Sequence, residues 1–143
     1  MRWPWTRDKP SRTPRQQTGR AGERAAEKYL RKHGCRILAR NVAFPQGEVD
    51  LVAFEKSSGT LLFVEVRSRA VEAGKEPTIT PEETVTTAKR RRVVRAARLY
   101  LKRRRVSADR PIRFDVVAVR FEGADRKRPM VKHVPAAFDS EGR

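Results

Sequence analysis

The stretch GEVDLVAFEKSSGTLLFVEVRS, residues 47–68, decides the fold. Two runs rich in aliphatic residues flank Lys56-Ser57-Ser58-Gly59, a hairpin-type turn. The first run alternates, with Val49, Leu51 and Ala53 on one face and Glu48, Asp50 and Val52 on the other. In the second, Leu62, Val64 and Val66 share a face, and Leu61, Phe63, Glu65 and Arg67 share its opposite. The spacing predicts strands over Glu48–Phe54 and Thr60–Ser68. Closing the hairpin brings Asp50 opposite Glu65 or Arg67. A carboxylate in the middle of a buried strand is costly unless it meets a cation. Two such carboxylates and a guanidinium converge here on one end of one face. A Mg²⁺- or Mn²⁺-dependent phosphodiesterase needs that set: hard oxygens for the ion, and a positive group near the phosphate or the attacking water. A cross-strand ion pair that only orders the sheet accounts for the spacing equally well.

Working outward, Arg36–Phe44 reads as a preceding strand closed by Pro45-Gln46-Gly47. Upstream of it, Ala21, Ala25, Tyr29 and Leu30 recur at helical spacing, predicting a helix over Gly19–Gly34 that carries Glu23 and Glu27. A helix lying over the sheet could bring Glu23 to the same spot as a third carboxylate. Downstream, Val71–Thr80 reads as a loop. Thr80-Pro81-Glu82-Glu83 has the form of a capping box with Pro at the first helical position, predicting a helix to about Arg104. Its buried stripe is Val85, Val93, Ala96, Ala97 and Tyr100, and Lys89 falls on that stripe, facing the sheet. Pro111–Phe121 is a further strand and Met130–Val134 an edge strand. The order predicts an α/β domain, a mixed sheet with one helix on each side. Asp115 reads as a salt-bridge partner for a helix arginine, His33 and His133 as surface residues, and Cys35 as core filler.

Charge narrows the function. The 143 residues hold 34 Lys+Arg against 17 Asp+Glu, a net +17, and 25 of the basic residues are Arg. Such an excess favours a polyanionic partner, most simply nucleic acid. From Lys89 to Arg105 ten of seventeen residues are basic and none is acidic. Arg90, Arg91, Arg92 and Arg95 are therefore expected to contact phosphates, together with Arg69 and the Arg103-Arg104-Arg105 cluster. Residues 1–18 hold three prolines and five basic residues without periodicity, predicting a disordered basic arm whose Trp3 and Trp5 could stack on bases. The domain is expected over 19–138 and a short tail over 139–143. No run is apolar enough for a membrane span or a secretory signal, so the expected compartment is the cytoplasm. A single cysteine excludes an internal disulfide and a cysteine-based zinc site. Monomer and dimer are both compatible with the sequence.

Gly22-Glu23, Ala26, Tyr29-Leu30, Asn41, Gly47-Glu48-Val49-Asp50-Leu51 and Phe63-Val64-Glu65-Val66-Arg67-Ser68-Arg69 together resemble the YraN family, also called UPF0102. The likeness continues through Val85, Lys89, Ala96, Tyr100-Leu101, Arg113-Phe114-Asp115-Val116-Val117 and Ala137-Phe138. That family in turn resembles the PD-(D/E)xK, restriction-endonuclease-like superfamily and has been likened to Holliday-junction resolvases. The resemblance implies an αβββαβ core, Asp50 and Glu65 as metal ligands, and Glu23 as an accessory acid. It places Glu65-Val66-Arg67 at the (D/E)xK position, with Arg67 where the pattern has lysine. Arginine stays protonated and cannot act as a general base, though it can hold a phosphate. Lys89 is the alternative source of the amine.

Overall fold

The computed structural model describes residues 13–72, 74, 85–123 and 128–143. The elements are α1 (Pro14–Lys32), β1 (Cys35–Phe44), β2 (Gly47–Glu55), β3 (Thr60–Val71), α2 (Thr87–Arg103), β4 (Ile112–Glu122) and β5 (Met130–Phe138). They form the αβββαβ order with one further strand, and the five strands lie in sequence order across a single sheet. Neighbours are antiparallel except β3 and β4, which run parallel and are joined through α2. A parallel pair cannot be closed by a hairpin, and the intervening helix supplies the crossover.

The two helices cover opposite faces. Val93, Ala96, Ala97 and Tyr100 of α2 pack with Val52, Phe63, Phe114 and Val116 on one side. Ala26 and Leu30 of α1 pack with Leu51, Leu62, Val64 and Val117 on the other. β3 is consequently buried on both faces from Thr60 to Val66, as its near-continuous apolar run requires.

β3 runs on to Val71, past the expected Ser68, and three further boundaries differ from the sequence reading. First, α1 begins at Pro14 rather than Gly19, so residues 14–18 of the expected arm are helical. Thr13 caps the helix by accepting from Gln16 N at 3.2 Å, while Gln16 Oε1 accepts from Thr13 N at 2.9 Å. That reciprocal box, with Pro14 at the first helical position, starts the helix a full turn early. Residues 1–12, with Trp3 and Trp5, lie outside the described residues. Second, α2 starts at Thr87 under a Thr86 cap that accepts from Lys89 N at 3.1 Å. The Thr80–Glu83 signal lies outside the described residues, and buried Val85 precedes the helix. Third, β5 continues past Val134 to Phe138. The tail then turns under Asp139, whose carboxylate accepts from the N–H groups of Glu141 and Arg143, and Arg98 donates to the Ser140 carbonyl.

One side chain also changes face. Val49 joins Val52 in the α2-side core, whereas Leu51 and Ala53 lie on the α1 side. Strict alternation fails at Asp50, where β2 leaves its neighbour. The β2–β3 ladder ends at Leu51↔Val64.

Candidate active site at the open end of the β2–β3 ladder

Beyond Leu51↔Val64 the two strands separate, and Asp50 fills the gap. Its Oδ2 accepts the Val66 N–H at 2.8 Å, replacing a ladder bond. The antiparallel register puts Glu65 directly beside it, of the two partners the sequence left open. Arg67 lies farther off, its Nη1 4.0 Å from Glu65 Oε1 and its side chain about one-third exposed. The cation acting on the Asp50 charge is Lys89 rather than Arg67.

Helix packing adds the remaining groups. A Cβ on Gly22 would collide with Ser68 Oγ, so only glycine lets α1 approach β3 this closely. The next residue, Glu23, then comes within electrostatic reach of Asp50 and hydrogen-bonds Asn41. On the other face, a Cβ on Gly47 would run into the Arg92 carbonyl. That close approach lets Lys89 reach over the sheet end, its Nζ 3.0 Å from Glu48 Oε1 and 3.6 Å from Glu65 Oε1.

The electrostatics are those of crowded acids. Glu65 is 2 % exposed, and its Oε2 has no hydrogen-bond partner while both carboxyls are ionised. Burial and the adjacent Asp50 charge push its pKa up to about 8, against the pull of Lys89. A proton on Glu65 also lets the two carboxyls bond to one another, which strengthens the effect. Burial raises Asp50 as well, opposed by the Val66 N–H. Burial and the Asp50 charge likewise raise Glu23. For Lys89, burial works against the charge, but Glu65 and Glu48 outweigh it and keep the amine protonated above the ordinary lysine range.

These groups open into a cleft of about 580 Å³. Glu23, Asp50, Glu65, Arg67, Arg69 and Lys89 all line it, so five predicted catalytic residues and one predicted phosphate contact are brought together. Arg15 and Thr18 line it too, although the sequence reading assigns both to the arm. The Thr13-Pro14-Arg15-Gln16 capping signal is the clue that could have found them. The four helix arginines divide. Arg91, Arg92 and Arg95 are exposed, while Arg90 is partly buried with its guanidinium 5.9 Å from the Phe138 ring centre. Arg92 stands close enough to Glu48 to affect its ionisation.

Asp115 is structural, though its partners are not those expected. No helix arginine reaches it. Arg113, two residues away on the same strand face, donates from Nε at 2.8 Å and from Nη2 at 2.9 Å. His133 Nε2 lies 2.7 Å from Oδ2, and Ala136 N donates to Oδ1 at 3.0 Å. Burial alone would raise this carboxyl, but these donors hold it below the ordinary range. His133 is thus no surface residue: it packs edge-on against Tyr29 of α1. Cys35 is buried, as expected of a core filler.

The family description "Uncharacterised protein family UPF0102" matches residues 22–119. The chain belongs to UPF0102. Similar proteins include a UPF0102 protein of Syntrophotalea carbinolica, 45 % identical over 125 residues, covering 87 % of this chain and 93 % of the relative. Another, from Anaeromyxobacter dehalogenans, is 46 % identical over 129 residues and covers 90 % and 89 % of the two chains. The UPF0102 match begins at Gly22, the glycine that seats α1, and spans Glu23, Asp50, Glu65, Arg67 and Lys89. Arg15 and Thr18 fall outside it. Among the described residues no three of His, Cys, Asp and Glu are grouped to hold one metal ion. No helix of the described residues is long and apolar enough to cross a membrane.

Proposed function

We propose that this UPF0102 chain is a metal-dependent phosphodiesterase that cleaves nucleic acid, DNA ahead of RNA, in the cytoplasm. One observation carries the reading: half-buried Asp50 and buried Glu65 stand side by side at an open sheet end, and one Glu65 oxygen finds no donor. Two carboxyls competing for one proton make a poor structural device and a good cation ligand. The donor set fits Mg²⁺ or Mn²⁺. Hard carboxylate oxygens suit either ion, and Mg²⁺ is commonly held by one or two carboxylates with waters and substrate phosphate completing its shell. The absence of a third grouped ligand among the described residues is compatible with that habit. When bound, such an ion supplies Lewis-acid polarisation of a phosphoryl oxygen.

The chain's own residues divide the remaining work. Arg67 and Arg69 line the cleft as permanent cations and orient a phosphate. Lys89, held as an ammonium by two carboxylates, stabilises negative charge developing at the phosphate and is not the proton acceptor. Glu23, its pKa raised by burial and by Asp50, is the better general base for a water in the cleft. A second reading, a non-catalytic nucleic-acid binder on the same scaffold, draws on the fact that neither Arg67 nor Lys89 supplies a free amine. The two are separated by incubating branched, duplex and single-stranded DNA with Mg²⁺, Mn²⁺ or chelator. Ion-dependent cleavage lost in Asp50→Asn supports the enzyme; binding without cleavage of any substrate supports the binder.

A further inference from the structure

A second concavity, about 530 Å³, lies between the C-terminal end of α2 with the loop that follows it, β1, and the ends of β2 and β3 at Phe54 and Leu61. Its volume falls within the range of about 300–1,000 Å³ common for small-ligand sites. The 38 % exposed Leu38 and half-buried Phe54 supply open apolar surface, with Leu61 and Tyr100 buried at its floor. Arg36, Arg104, Arg105 and Arg110 surround it, and among the described residues no carboxylate lines it. The guanidiniums are aimed at rings: those of Arg36 and Arg110 lie 5.8 and 5.9 Å from the Phe54 ring centre, and that of Arg104 lies 5.5 Å from Tyr100. Arg40 and Arg113, by contrast, answer carboxylates, those of Glu27 and Asp115, while Arg90 and Arg103 each lie over a single ring, Phe138 and Phe44.

We infer that this groove binds an unpaired nucleotide of a single-stranded stretch, its base against the guanidinium and aromatic surfaces and its phosphates on the flanking arginines. The inference rests on the nucleic-acid reading above and names the substrate feature that reading leaves open. Duplex phosphates need cations but no apolar floor, because paired bases keep their faces stacked within the helix. An unpaired base exposes both faces, and arginine planes and aromatic rings are the surfaces that bind it. The groove also lies within reach of the cleft. From Asp50 to Phe54 along β2 is about 13 Å. From Lys89 to Tyr100 along α2 is about 17 Å, roughly the rise of five nucleotides. Arg92 and Arg95 are exposed on the intervening helix. One strand can therefore occupy cleft and groove together.

The test is fluorescence anisotropy at low salt in chelator, so that no cleavage intervenes. The probes are a blunt duplex, the same duplex with a single-stranded overhang, and one whose overhang carries phosphates but no bases. The overhang is expected to tighten binding at least about fivefold, and the abasic overhang to recover only part of that gain. Arg36→Glu and Leu38→Asp, both at exposed positions of β1, should abolish the gain and leave blunt-duplex affinity within about twofold. Matching circular dichroism and Tm establish that both variants fold. An overhang that adds nothing in the parent, or a gain that survives both substitutions, overturns the inference while leaving the duplex reading intact. An abasic overhang as effective as the natural one overturns base binding. Failure of every probe to bind overturns this inference and the nucleic-acid reading together.

Discussion

Asp50 and Asp115 are both strand aspartates, the first half-buried at the cleft and the second fully buried, and their surroundings separate function from structure. Asp115 accepts two bonds from Arg113 and one from Ala136 N, and lies beside His133 Nε2. Asp115→Asn deprives half-buried Arg113 of one of its two carboxylate partners, Glu55 remaining, and turns an amide donor toward its guanidinium, so it should destabilise by about 1–3 kcal/mol in urea melts. Asp50 has one backbone donor and a competing acid. Asp50→Asn should leave metal-free stability unchanged or raised, because it relieves repulsion and an asparagine oxygen can still accept from Val66 N. The same crowding predicts a pH dependence. The folded state holds a proton on Glu65 up to about pH 8, whereas an ordinary glutamate releases it near 4.5. The folded chain thus binds more protons between those limits, so metal-free stability should fall as pH rises from about 4.5 to 8. Urea melts across that range should slope downward for the parent and be flatter for Glu65→Gln. Strand periodicity alone was enough to bring Asp50 and Glu65 together. It could not separate a metal site from an ion pair, because the 4.0 Å gap to Arg67 and the lone Glu65 oxygen depend on side-chain geometry.

At the scale of elements, the positions that seat the site are a cap and two close approaches. Thr13, Pro14 and Gln16 start α1 early enough to put Arg15 and Thr18 on the cleft wall. Truncating before Thr13 should therefore be tolerated, while removing residues 1–18 should cost about 1 kcal/mol or more through loss of the cap, measured as a shift of the denaturation midpoint. Gly22→Ala should be worse, about 1–3 kcal/mol, because its Cβ collides with Ser68 Oγ and pushes Glu23 off the sheet end. Pairing it with Ser68→Gly should restore part of that loss. Strands and helix faces were legible because β3 reads as one apolar run and α2 carries a clear stripe. The start of α1 was not, since its first turn is polar and carries no periodic apolar signal. Val49 packs in the α2-side core rather than with Leu51 and Ala53, beyond the point where β2 loses its β3 partner, which a period of two cannot register.

For the whole molecule, the net +17 is arranged unevenly. Arg91, Arg92 and Arg95 project from α2 between the cleft and the basic-aromatic groove, while Arg90 turns in against Phe138. Replacing Arg91, Arg92 and Arg95 by alanine should weaken duplex binding and reduce the slope of log affinity against log salt by about 0.9 for each phosphate no longer neutralised. Arg90→Ala should change that slope less, a distinction that charge counting could not make. Binding of a divalent cation at the sheet end through Asp50 and Glu65 is what the proposed phosphodiesterase activity depends on. It is tested most directly by calorimetric titration of Mg²⁺ or Mn²⁺ into the full chain at about pH 7.5, just below the raised Glu65 pKa, with Asp50→Asn and Asp115→Asn alongside. Saturable binding in the parent, abolished in Asp50→Asn while its Tm is held or raised, is the predicted result. A parent that binds neither ion, together with an Asp50→Asn variant as destabilised as Asp115→Asn, would contradict the account and leave Asp50 a structural acid.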